Sequence, residues 1–188
     1  MKIVLLSGSP RPEGNTVQVL RACADVIREQ GVDAELLTLV GKNIRACTSC
    51  WACRKEQDCP LADDALPLFR EIEQADGFIL GAPVYYGTAR GDVMNFLQRL
   101  GSYSAHHGRF LDGMVGGPIV VGRRGGHTAT LQEMLMFCFI TGMIVPGSTY
   151  WNILFGREPG EAMQDQEGLE HTLRFASRCG ELVKKLRG

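Results

Sequence analysis

What this chain lacks narrows its chemistry before any motif is considered. It has no excess charge of either sign: 20 Lys and Arg stand against 21 Asp and Glu, a formal net charge of −1 at pH 7. No basic stretch is long enough to track nucleic acid or an anionic membrane surface, so neither is expected as a partner. A membrane-spanning run is also missing. The longest apolar stretch, Met134 to Val145, is interrupted by Thr141 and Gly142 and falls short of the ~20 residues that cross a bilayer. The chain opens on a buried-strand pattern with no charged-then-apolar leader, which predicts a soluble protein kept in a reducing compartment, the cytoplasm. Two nucleotide signatures are absent as well, the Gly-Lys-Ser/Thr of a triphosphate loop and the Gly-x-Gly-x-x-Gly of a dinucleotide fold. No repeat or low-complexity linker divides the 188 residues, a length that suits a single domain, 1–188.

Against these absences stand four cysteines in one short segment: Cys47, Cys50, Cys53 and, before Pro60, Cys59. Three cysteines at two-residue intervals and a fourth followed by proline suit a short loop that wraps several thiolates around one compact iron–sulfur cube, although the spacing differs from the ferredoxin run. Zinc is the rival reading. Structural zinc usually draws two Cys pairs from well-separated segments, so it ranks below the cluster. Disulfides rank third, given the expected reducing surroundings. Cys23, Cys138 and Cys179 lie among apolar helical neighbours and read as small hydrophobes. His106 and His107 have no second pair at ligand spacing and read as solvated.

Periodicity organises the rest. Lys2 to Ser7 is continuously apolar and ends in a glycine turn, a strand buried on both faces. Val17, Leu20, Ala24 and Ile27 form one stripe of a helix from Asn15 to about Glu29, with Gly31 placed to end it. Val32 to Leu39 reads as a strand nearer an edge, and the cysteine-rich loop follows at about 44–62. Asp64 can cap a helix carrying Pro67 in its first turn and running to about Gln74. Gly77 to Gly81 is a third strand, followed by a Pro83–Gly91 turn and a helix on Val93, Phe96, Leu97 and Leu100. Pro118 to Gly122 is a fourth strand, followed by a very apolar helix from about Ala129 to Thr141 that suits either the core or a subunit interface. Met143 to Tyr150 offers a fifth strand, and Leu169, Leu173, Ala176 and Val183 a closing helix. Strands alternating with helices predict an α/β, doubly wound three-layer sandwich with a five-stranded parallel sheet of order 2-1-3-4-5. Ligands of such sheets sit beyond the carboxyl ends of the strands, where the order reverses.

The loops on that edge are unusual. Ser7-Gly-Ser-Pro-Arg and Gly14-Asn15-Thr16 join the first strand to its helix. Backbone N–H groups there, with Ser9, Arg11, Asn15 and Thr16, can cradle a monophosphate; equally, Ser, Asn and Thr can simply cap a helix. Pro83-Val84-Tyr85-Tyr86-Gly87 can flank a flat ring, and Arg123-Arg124-Gly125-Gly126 can bring backbone N–H groups to a ring edge. Taken singly, each also reads as an ordinary turn. Trp51, inside the cysteine segment, reads either as a shield against water or as a half-buried aromatic.

Taken together, these motifs resemble the flavodoxin-like NADPH-dependent FMN reductases and, within them, the iron–sulfur flavoproteins. The likeness covers nearly the whole chain, including Asp63-Asp64 after the cysteines. It implies a flavodoxin-like FMN-dependent oxidoreductase in which Ser9, Arg11, Asn15 and Thr16 hold the FMN phosphate. Pro83, Val84, Tyr85, Tyr86, Gly87, Gly125 and Gly126 would contact the isoalloxazine, and Cys47, Cys50, Cys53 and Cys59 would ligate a [4Fe–4S] cluster. It also implies a homodimer or homotetramer, ferredoxin or NAD(P)H as electron donor, and a small-molecule acceptor. The flavin carries the chemistry, so no catalytic side chain is assigned. A cluster-free NAD(P)H-dependent FMN or quinone reductase and a flavodoxin-like electron carrier are the alternatives.

Overall fold

The computed structural model describes residues 1–55 and 58–188. At its centre β1 (Lys2–Ser7) pairs in parallel with β2 (Asp33–Thr38) on one side and with β3 (Gly77–Tyr85) on the other, Leu5 lying between Leu36 and Ile79. Beyond β3 come a short antiparallel β4 (Thr88–Ala89) and two further parallel strands, β5 (Val115–Gly122) and β6 (Ile153–Phe155). The order β2-β1-β3-β5-β6 is the expected 2-1-3-4-5 once the two-residue β4, which pairs only with β3, is set aside. This is a flavodoxin-like sheet with β2 at its edge.

Strand alternation splits the core into two layers. Ile3 and Leu5 pack with α1 (Asn15–Glu29) and α5 (Gln166–Arg187) through Leu20, Ile27, Phe175 and Val183. Val4 and Leu6 belong to the opposite layer, with α2 (Ala65–Glu73), α3 (Gly91–His106) and α4 (His127–Thr141) supplying Phe69, Ile72, Phe96, Leu100 and Met134. That division follows from the pleat, which sends successive side chains to opposite faces. Each such side chain contributes roughly 1.5–3 kcal/mol by leaving water, so both helical layers are held independently.

The fourth strand begins at Val115 rather than Pro118, and two expected boundaries move further. The third strand does not end at Gly81; it continues through Pro83, Val84 and Tyr85 and folds back into β4, leaving Tyr86 and Gly87 as the hairpin tip. The fifth strand is not Met143–Tyr150. Pro146 and Gly147 break that run, Ile144 makes only an isolated bridge to Val115, and regular pairing resumes at Ile153, opposite Val120. The apolar helix α4 is core on one side only: Met134 and Cys138 are buried, whereas Met136, Phe139 and Ile140 are exposed. The cysteine segment follows β2 as expected; two of its positions, 56 and 57, lie outside the described residues.

Candidate functional site

Because the long strands are parallel, their carboxyl ends deliver the unusual loops to one edge. The first loop leaves β1 at Gly8, whose N–H donates to Gly81 O at 2.8 Å. A Cβ on Gly8 would stand 2.2 Å from Val93 Cγ2, so only glycine lets the turn pass α3. The Ser9 hydroxyl donates to Arg11 O at 3.0 Å and its oxygen accepts Arg11 N–H at 3.1 Å, which folds the turn on itself. α1 then starts behind Gly14 with no side-chain cap and no acidic residue in its first turn. Orphan N–H groups at the positive end of a helix make an anion site, and the exposed Arg11 has no ion-pair partner among the described residues. This start fits a phosphate.

Asn15 is used differently from the expectation. Its Nδ2 donates to Glu158 O at 2.9 Å, and its Oδ1 accepts N–H groups of Gly160 at 2.8 Å and Ala162 at 3.3 Å. The side chain therefore fastens the segment after β6 to α1, and what it leaves at the cleft is its backbone N–H. That segment brings in Gly156 and Arg157, to which the sequence assigned no role. Gly156 N–H donates to Gly122 O at 2.9 Å. Misplacing the fifth strand hid this loop; a Gly-Arg pair at a strand's carboxyl end was the available signal. A cleft of 170 Å³ gathers Ser9, Arg11, Asn15 and Thr16 with Pro83, Val84 and Tyr85, and adds Arg123 and Arg157.

The ring loops touch each other. Gly126 has φ 86°, in the left-handed region that favours glycine. A Cβ there would stand 2.7 Å from Gly87 Cα and 2.8 Å from Val84 Cγ1. Tyr86, at φ 50°, is fully exposed at the hairpin tip. Glu133 of α4 holds the returning strand, accepting from Thr88 Oγ1 and Ala89 N–H at 2.5 Å each. A second hollow of 380 Å³, lined by Val84, Tyr86, Gly87, Arg123, Arg124 and Gly125, shares Val84 and Arg123 with the first. Together they offer an anion-binding end and a flat, glycine-walled end, the two chemistries a flavin mononucleotide presents.

The cysteine segment lies beside this edge, closed at its base. Asp64 N–H donates to Asn43 O at 3.1 Å, Asn43 N–H returns to Asp64 Oδ2 at 2.7 Å, and Arg45 N–H donates to Asp63 Oδ2 at 2.9 Å. Asp64 thus ties the loop rather than capping α2, whose first N–H, on Ala65, goes to Asp63 Oδ1 at 3.2 Å. Ser49 and Trp51, either side of Cys50, both have left-handed backbones, φ 53° and 61°. Cys47 and Cys50 are exposed, Cys53 and Cys59 partly buried, and all four thiols are free. The backbone N–H of Ala52 lowers the Cys50 thiol; burial raises Cys53, and the charges of Cys47, Cys50 and Cys59 add to that. The thiols therefore feel one another, although among the described residues no three metal-ligating side chains are gathered to ligating distance. As a donor set, four reduced thiols suit an iron–sulfur cluster. Trp51 is more than half exposed, with the Arg54 guanidinium 3.6 Å from its ring centroid, so the half-buried aromatic is the nearer of its two readings.

Sequence reading missed Arg99. It is 3% exposed, it forms an ion pair with Asp63, and its Nη2 donates to Cys59 Sγ at 3.3 Å.

Comparison with known proteins extends this picture. An "Iron-sulfur flavoprotein" of Methanocaldococcus jannaschii is 35% identical over 194 residues, covering 100% of both chains. Among solved structures, a "flavone reductase" superposes with a TM-score of 0.73 at 17% identity, over 100% of this chain and 64% of that one. A flavodoxin from the domain Archaea gives 0.63 at 14% identity, over 98% and 99%. At such identities the structural matches establish the fold alone. The family model described as NADPH-dependent FMN reductase matches residues 1–157, which takes in all the cleft loops and the cysteine segment; the chain belongs to that family of FMN-dependent oxidoreductases, in its iron–sulfur flavoprotein branch.

Proposed function

We propose that this oxidoreductase passes electrons from a reduced donor, NAD(P)H or ferredoxin, to a small-molecule acceptor through FMN and a [4Fe–4S] cluster held on Cys47, Cys50, Cys53 and Cys59. When bound, FMN supplies exchange between two-electron and one-electron chemistry, and the cluster supplies single-electron transfer. The chain's own residues bind and orient. Arg11, Ser9, Thr16 and the first-turn N–H groups of α1, that of Asn15 included, take the phosphate. Pro83 to Gly87 and Gly125-Gly126 flank the ring. Arg123, at the junction of the two hollows, is placed to balance negative charge on the ring edge.

The observation that carries the cluster reading is the set of four free thiols on one segment tied shut at its base. Anaerobic purification followed by counting FMN, iron and acid-labile sulfide tests it. FMN accompanied by about four irons per chain is expected; FMN without iron or sulfide would leave a cluster-free NAD(P)H-dependent FMN or quinone reductase. That second reading draws support from the cleft, whose residues do not depend on the cysteines. The exposed Met136 and Ile140 of α4 border an apolar groove of 520 Å³ against α3 and, with the exposed Phe139, support assembly into a homodimer or homotetramer. No helix among the described residues is long and apolar enough to cross a membrane, and free thiols suit the reducing cytoplasm.

A further inference from the structure

Arg99 is the one buried Lys or Arg among the described residues. It sits on α3, whose other buried positions are almost all apolar. A buried guanidinium is costly unless its charge is paired and its N–H groups are used. Here Nη1 donates to Arg45 O at 3.1 Å and to Asp63 Oδ2, and Nη2 donates to Asp63 Oδ1 at 3.0 Å. Asp63 is itself fully buried at its side chain, so the pair is a bidentate clamp that joins both ends of the cysteine segment to α3. Neutralising the charge and tying the loop need only those bonds. The remaining donation, from Nη2 to Cys59 Sγ, is additional and is directed at the last of the four thiols.

We infer that Arg99 is a positioning residue for Cys59, holding its sulfur in ligating place and raising the reduction potential of the cluster. The inference rests on the cluster reading above. A cluster with four thiolate ligands becomes more negative when it takes an electron, so a fixed cationic N–H at one sulfur stabilises the reduced form more than the oxidised form, and the potential rises. Other arginines nearby are less able to act this way. Arg54 lies over Trp51, and Arg70 pairs with Asp58 at a site where both side chains are half exposed and water and salt screen them.

The test compares anaerobically reconstituted wild type, Arg99→Lys and Arg99→Gln, each at full FMN occupancy. Two quantities are read: the cluster midpoint potential, by EPR-monitored titration, and the rate of iron loss to a chelator. For Arg99→Gln a lower potential and about tenfold faster iron loss are expected. Lysine keeps the charge without the fork, so Arg99→Lys falls between. Wild-type potential and wild-type iron loss in both variants overturn the inference. Faster iron loss at unchanged potential also overturns it, since a purely structural clamp predicts that result. Should Arg99→Gln fail to hold FMN, Arg99→Lys decides on the same readings. Wild type that holds FMN but no iron overturns the cluster reading and this inference with it; iron-loaded wild type with unmoved variants overturns the role of Arg99 alone.

Discussion

Gly126 packs against Gly87 so closely that a single methyl on the former would stand 2.7 Å from the backbone of the latter. The Gly126→Ala variant must therefore part the two ring loops and also hold alanine at a left-handed backbone, which costs roughly 1–2 kcal/mol by itself. FMN affinity should fall about tenfold or more in a fluorescence titration of the apoprotein. Gly91→Ala, at the start of α3 and outside the lining of both hollows, is the control. A Cβ there meets nothing within 4 Å, so its FMN affinity should stay near that of wild type, and equal losses at both positions would refute the packing argument.

Arg11 and Asn15, neighbours on the first loop, should separate by ligand. Arg11→Ala removes a cation with no ion-pair partner among the described residues from the cleft and should weaken FMN by about tenfold while leaving riboflavin, which has no phosphate, almost unaffected. Asn15→Ala removes three hydrogen bonds to the segment after β6. It should lower folding stability by about 1–3 kcal/mol and weaken both flavins alike. Paired calorimetric titrations with FMN and riboflavin read the difference.

Asp63 gives the fold an acid-sensitive clasp. Burial would lift its carboxyl, but the hydrogen bond from Arg99, with those from the N–H groups of Arg45 and Ala65, holds it below the ordinary carboxylate value. A depressed folded value means that the stabilisation is fully present above the unfolded value near ~3.9 and is lost as pH falls through the lower folded one. Asp63→Asn should cost about 3–5 kcal/mol at neutral pH, since it strands the Arg99 charge. Its urea midpoint should then fall less than that of wild type between about pH 5 and about pH 3.

The seven cysteines should react in two classes when the apoprotein is alkylated near neutral pH. Burial pushes Cys23 and Cys138 up to about 12 and Cys179 well above its ordinary value, so these three stay unlabelled until the chain unfolds. Cys50, exposed and lowered by the Ala52 N–H, should label first. Mass mapping over time reads the order, and labelling of Cys23 as fast as Cys50 in folded protein would contradict it.

What the sequence made legible was whatever depends on local period. The apolar runs of β1 and β5 and the stripes of α1 and α3 announce themselves, and alternation of strand and helix then leaves few topologies. What stayed hidden depends on partners distant in the chain. Arg99 reads as a solvated helix residue until Asp63, 36 positions earlier, is brought beneath it. Asn15 reads as a phosphate ligand because its acceptor and donors lie more than 140 residues away. The run after Gly142 has strand composition, yet Pro146 cannot donate to a ladder, and pairing waits until Ile153.

Tying the cysteine segment at Asn43 and Asp64 fixes where it leaves and rejoins the fold. The ends meet through backbone and carboxylate bonds outside the thiol stretch. Closing a flexible stretch costs only about 0.6 kcal/mol more for each doubling of its length. Above that stem the stretch also leans on the helices, through Asp58 to Arg70 of α2 and Tyr103 of α3 and through Cys59 to Arg99. The stem thus sets where the segment begins and ends, and its bonds to α2 and α3 set how it lies.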